Sequence, residues 1–177
     1  MPKCLILLDN SNVFIEGRKM SARRKNIPLF EDQRAPQDPS WRLDFGALLE
    51  FMADGREIID AILVGSEPPQ NDSVWKSAEQ QGFRVITFMR SASGKEKEVD
   101  TEIATQAAEI IVLNKDEIAA LVIGSGDRDF LPSVRCARRY KWTTEMCAFT
   151  SAFNPEGDMA MEVDKIRELD SAFDKIG

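Results

Sequence analysis

Ile118-Ala119-Ala120-Leu121-Val122-Ile123-Gly124-Ser125-Gly126-Asp127-Arg128-Asp129-Phe130 is the stretch that decides the architecture. An apolar run without polar alternation reads as a strand covered on both faces, and such strands belong to parallel sheets flanked by helices. The run stops at Gly-Ser-Gly-Asp, a tight polar turn. Phe130 to Tyr140 then reads as a helix with Pro132 in its first turn, where proline is tolerated.

The same grammar repeats outward from this stretch. Cys4 to Leu8 is an apolar run ending in Asp9-Asn10-Ser11-Asn12, and Ile58 to Val64, Phe83 to Phe88 and Thr143 to Phe149 are further strands. Helices are expected over Val13 to Arg24, Leu43 to Asp54 before Gly55, Asp72 to Gln81 before Gly82, and Val99 to Leu113. Met161 to Phe173 is expected to close the fold as an amphipathic helix. Strand–helix alternation predicts an α/β fold, a three-layer α/β/α sandwich with a mainly parallel sheet of five strands or slightly more. No repeat or boundary interrupts residues 1–177, so one domain is expected, with a Pro-containing loop insertion at 26–40 (Pro28, Pro36, Pro39) and a charged loop at 91–98.

The chain has 177 residues, 43% of them apolar, which suffices for one core and not for two. Its 3 cysteines cannot all pair, and Cys4 and Cys147 sit in strand-like runs where a reduced, buried thiol is usual. There is no histidine, which excludes Ser-His-Asp and Cys-His mechanisms and ordinary zinc sites. A metal held here would take oxygen ligands, favouring Mg²⁺ or Mn²⁺. No apolar run approaches a membrane span, and the N-terminus is too soon charged for a signal peptide, so a soluble cytoplasmic protein is expected. The net charge of -7 excludes a general basic nucleic-acid footprint. Arg18, Lys19, Arg23, Arg24 and Lys25 nevertheless form one basic stretch, and Arg135, Arg138, Arg139 and Lys141 another. Each reads either as a solvated helix face or as a local phosphate track.

In parallel sheets ligands bind beyond the carboxyl ends of the strands, where strand order reverses. That rule selects Asp9, Asp127 and Asp129, and Asp100 joins them if it opens the helix after Lys97. Carboxylates crowded together must take up protons or bind a cation. Mg²⁺ suits them, because it accepts a few carboxylates and keeps waters for substrate phosphates. Gly124 and Gly126 allow close backbone approach and positive φ. Asn12 can contact a phosphate or fix Asp9, Lys97 can pair with a phosphate or with Asp100, and Ser125 is a turn hydroxyl or a water-mediated metal contact. Arg18, Arg23 and Arg24 are candidate backbone guides, and Phe14 and Trp41 candidate stacking rings. Taken singly, each acid has an ordinary reading as well: Asp9 ends a turn, Asp100 complements a helix dipole, and Asp127 and Asp129 cap a helix. Their convergence on one sheet edge is what favours a site.

Three motifs in order, LILLDNSNVF, KEVDTEIATQAAEI and LVIGSGDRDFLPSVRCARRY, resemble the NYN family, the LabA-like (DUF88) branch of the PIN-like nuclease superfamily. The resemblance implies a PIN-like fold and metal-dependent RNA cleavage by activated water. It implies Asp9, Asp100, Asp127 and Asp129 as the metal-binding acids, with Asn12 and Lys97 as the accompanying polar and basic residues.

Three readings follow. The first is a Mg²⁺- or Mn²⁺-dependent ribonuclease acting on single-stranded RNA. The second is an RNA-binding or regulatory module of the same fold with weak turnover. The third is a small-molecule phosphatase, disfavoured because Asp9-Asn10-Ser11 lacks the second acid of Asp-x-Asp. A homodimer would widen the small basic surface, although no residue pattern requires one.

Overall fold

The computed structural model describes residues 1–28, 36–67, 73–89 and 95–177. The middle of the 26–40 insertion (29–35) and the start of the 91–98 loop (91–94) lie outside the described residues. In chain order the elements are β1 (Lys3–Asp9), α1 (Asn10–Lys25), α2 (Phe45–Ala53), β2 (Glu57–Glu67), α3 (Ser73–Gln80), β3 (Arg84–Met89), α4 (Lys95–Leu113), β4 (Ala119–Gly124), α5 (Leu131–Arg139), β5 (Thr143–Ala148), α6 (Asp158–Glu162), β6 (Lys165–Glu168) and α7 (Phe173–Ile176). The strands form a 6-stranded sheet in the order β3-β2-β1-β4-β5-β6, with every neighbouring pair parallel.

β1 explains why the sheet is central. Its side chains alternate between two apolar layers, as period-2 geometry requires. Cys4, Ile6 and Leu8 enter a core with Leu48, Met52, Trp41 and Phe173. Leu5 and Leu7 enter the opposite core, with Ile103, Ile111, Val134 and Met146. Both faces are dry, so the strand carries no polar alternation. Cys4 and Cys147 are free and buried, and burial pushes the Cys147 thiol up to about 12, leaving it protonated and inert.

The expected closing helix at Met161 to Phe173 is not formed. That segment instead makes α6, the edge strand β6, a 3-10 turn at Leu169–Ala172 and α7. Tertiary partners outweigh the helical spacing. The Asp164 carboxylate accepts from Thr144 N at 2.8 Å and Asp170 accepts from Thr150 N at 2.8 Å, clamping the two ends of β6 to β5 and to the turn that follows it. Between the clamps Lys165-Ile166-Arg167-Glu168 is short, charged and mostly exposed, which suits an edge strand. α4 begins at Lys95, one turn earlier than the expected Val99, so Asp100 lies in its second turn rather than opening it.

Trp41, a candidate base-stacking ring from its sequence position, is buried instead. It stacks on Phe173 with centroids 5.8 Å apart, and Phe14 packs against it at 6.3 Å. A Cβ on Gly17 would lie 2.3 Å from Trp41 Cη2. Gly17→Ala gains helix propensity but overpacks this stack, and we expect a net loss of about 1–2 kcal/mol, read as a lowered urea midpoint with unchanged m-value.

Candidate functional site

Strand order reverses between β1 and β4: the chain proceeds outward through β2 and β3 on one side and through β5 and β6 on the other. Leu8 is paired with Gly124 at this seam. Asp9 and the Ser125–Asp129 turn therefore emerge side by side at the carboxyl edge, the crevice position of open parallel sheets.

Asp9 is the last residue of β1 and the N-cap of α1, its Oδ1 accepting from Asn12 N at 3.4 Å. Asp127 caps the 3-10 turn Arg128–Phe130, its Oδ1 accepting from Asp129 N at 2.9 Å. Both acids are thus caps and cavity residues at once, so the capping and functional readings do not compete. Ser125, fully buried, joins them: its hydroxyl donates to Asp9 Oδ2 at 3.3 Å while its Oγ accepts from Asp127 N at 3.0 Å. Ser125 is consequently a brace between the two acids. Gly124 and Gly126 do not adopt positive φ. Their contribution is close approach: a Cβ on Gly126 would stand 2.7 Å from Ala152 O, and one on Gly124 2.6 Å from Leu8 Cδ1.

Asp9, Asp100, Asp127 and Asp129 line one cavity of about 310 Å³, together with Ser11, Asn12, Ile15, Glu16, Val64, Gly65 and Phe130. Among the described residues no lysine or arginine lines it. Burial is the main cause that pushes the Asp9 carboxyl up to about 6, and the nearby Asp127 charge adds to it. The Asn12 Oδ1 atom is buried without a hydrogen-bond partner. Among the described residues no three His, Cys, Asp or Glu groups lie close enough together to ligate one ion directly. The acids are spread over the walls, an arrangement suited to a cation that keeps part of its water shell. Six waters occupy roughly 180 Å³ at liquid density, less than this cavity holds. The polar groups of the described lining are oxygen donors, four aspartates, Glu16, Ser11 and the unpartnered Asn12 amide oxygen, and this donor set fits Mg²⁺ or Mn²⁺.

Glu16, a surface residue by its sequence context, instead lines the cavity. It stands one helical turn beyond Asn12, on the same face of α1, and this i,i+4 spacing is the signal that could have found it. It pairs with Lys19 at 3.1 Å and accepts from Ser151 Oγ at 2.7 Å. Lys97 is exposed in the first turn of α4 and does not line the cavity. The proposed guides on α1 also lie elsewhere. Arg23 and Arg24 are about 20 Å along the helix from Asp9. Arg24 pairs with Asp174 at 2.8 Å, and the Arg18 guanidinium covers the Phe14 ring at 4.2 Å and donates to Pro39 O at 3.2 Å.

The family model described as "NYN domain" matches residues 6–169. No curated protein matches the chain. Among solved structures, the crystal structure of a protein of unknown function from Vibrio parahaemolyticus RIMD 2210633 is similar, with a TM-score of 0.61 and 18% identity over 94% of this chain and 92% of that one. That likeness concerns the fold. No described helix is long and apolar enough to cross a membrane.

Proposed function

The chain belongs to the NYN domain family, of PIN-like nuclease fold, and on that premise we propose that it is a Mg²⁺- or Mn²⁺-dependent ribonuclease acting on single-stranded RNA. The observation that carries the reading is the cavity lined by Asp9, Asp100, Asp127 and Asp129 at the seam of the sheet. These four acids would hold the hydrated ion, in part through its waters. When bound, it supplies charge stabilisation at the phosphoryl oxygens and lowers the pKa of the attacking water. The chain's own groups do the positioning. Ser125 fixes Asp9 relative to Asp127, and the Asn12 backbone N–H sets the rotamer of Asp9. Asn12 Oδ1 offers an acceptor for water or a ribose hydroxyl.

The acidic net charge of -7 favours a second reading, an RNA-binding or regulatory module with little turnover. Cleavage of end-labelled single-stranded RNA separates the two. We expect wild-type cleavage to stop with EDTA and return with Mn²⁺, and Asp127→Asn to lower the rate at least tenfold. Equal rates in wild type and Asp127→Asn would remove the nuclease reading.

A further inference from the structure

The acidic cavity is not closed. Two of its acids, Asp100 and Asp129, also line a larger groove of about 960 Å³ between α4 and α5. Its floor is apolar and small: Ala104, Ala108 and Val112 from α4, and Pro132 and Cys136 from α5. Arg128 stands on its wall next to the acids, and Arg139 lies on the same wall farther along α5. From Asp100 to Leu113 the α4 wall runs for roughly 20 Å, the length of a few extended nucleotides.

The two arginines differ from their neighbours on α5. Arg135 is committed to Glu162 at 2.8 Å, and Arg138 donates to the Glu162 backbone oxygen at 3.2 Å. Arg139 has no ion pair or hydrogen bond among the described residues, and it faces the groove. Among the described residues Arg128 pairs with Asp158, at 3.5 Å between two exposed side chains, a pairing a phosphate can displace. Apart from the two site acids, the charged groups of the groove are Arg128, Arg139 and Glu109. With the two site acids neutralised by a bound cation, the described charges left on the groove are two arginines against one glutamate, a net of one positive charge beside the cavity.

We propose that the α4–α5 groove is the track for the RNA strand on one side of the scissile phosphate. Arg128 and Arg139 contact successive phosphates, and the Ala104–Ala108–Pro132–Cys136 floor takes ribose and base surfaces. The inference rests on the nuclease reading above and deepens it. It replaces the basic stretch of α1 by two groove arginines as the substrate guides. Continuity with the cavity and the two guanidinium groups facing the groove favour a polyanionic strand over a second copy of the chain.

Cys136 provides a direct probe, because it is half-buried in the groove whereas Cys4 and Cys147 are fully buried. In the Asp127→Asn protein with Mg²⁺, saturating single-stranded RNA is expected to slow maleimide labelling of Cys136 at pH 8.5 at least fivefold. Arg139→Glu should raise KM for RNA about tenfold with kcat nearly unchanged, and lower the salt slope of binding by about one. Lys175→Glu, the same charge change on α7 across the sheet, should leave both alone. Unchanged labelling with RNA bound, or an Arg139→Glu protein that binds and cuts like wild type, overturns the groove while leaving the nuclease reading intact. A wild type that neither binds nor cuts RNA overturns both. Cys136 protection by high protein concentration alone would assign the groove to a second copy and overturn the proposal.

Discussion

Asp9→Asn is expected to abolish RNA cleavage and, in the metal-free protein, to raise stability at neutral pH. The catalytic loss should be roughly a thousandfold, because the ion and its aligned water contribute several kcal/mol to the transition state. The stability gain follows from the Asp9 carboxyl, which burial raises from 3.8 to about 6. In the unfolded chain this group ionises near 3.8, so above pH 6 folding must carry a buried charge. The folded state takes the proton first as pH falls. The penalty is therefore complete above pH 6 and vanishes below 3.8. A shift of this size corresponds to about 3 kcal/mol. Melting both proteins in EDTA should show the variant more stable at pH 7.5 and the two nearly equal at pH 4. The difference between proteins is the quantity to read, because Asp38 runs the opposite way. The Lys25 ammonium, with the Ser21 and Ser40 hydroxyls, holds the Asp38 carboxyl well below the usual range, so acid weakens that cluster in both proteins. Added Mg²⁺ should stabilise wild type and not the variant. Identical melting at pH 7.5 would show that Asp9 bears no burial cost.

Glu145→Ala is expected to be the most damaging change to the fold away from the site. Glu145 sits inside β5, buried, and accepts from Arg56 Nη2 at 3.0 Å and from Arg167 Nη1 at 3.4 Å. The two guanidinium groups also satisfy the end of α2: Arg56 Nε donates to Ala53 O at 2.9 Å, and Arg167 Nη1 to Met52 O at 3.2 Å. The Arg167 guanidinium lies over the Phe51 ring at 4.3 Å. Removing the carboxylate leaves two largely buried cations facing each other, a loss of about 3–5 kcal/mol, equivalent to a Tm fall of roughly 10 °C. Calorimetry of Glu145→Ala and Glu145→Gln tests this. The amide keeps an acceptor and should recover part of the loss, and a Tm within 2–3 °C of wild type for the alanine variant, on the order of 1 kcal/mol, would remove the network from the stability account.

The parallel sheet and its helices were legible because the strands are buried on both faces, and continuous apolar runs such as Cys4 to Leu8 and Ile118 to Ile123 have few other uses. The closing segment departs from its helical spacing because a four-residue charged edge strand has no apolar signature; Asp164 and Asp170 make it by bonding to Thr144 of β5 and to Thr150 just beyond it, and those bonds are invisible at a separation of 20 residues. Glu145 was passed over for the same reason: an acid inside a strand makes sense only once Arg56, 89 residues away, is beside it.

Sequence by itself determined the period, the punctuation and the acidic strand ends, since these are local properties of side-chain spacing and turn chemistry. Only the tertiary structure decided that β1 and β4 are neighbours, that Asp9, Asp100, Asp127 and Asp129 share one cavity, and that the α1 arginines run away from it while Arg128 and Arg139 face the groove leading into it. Strand order and helix direction are set by how two apolar layers bury on a twisted sheet, a collective outcome that no single stretch of residues encodes.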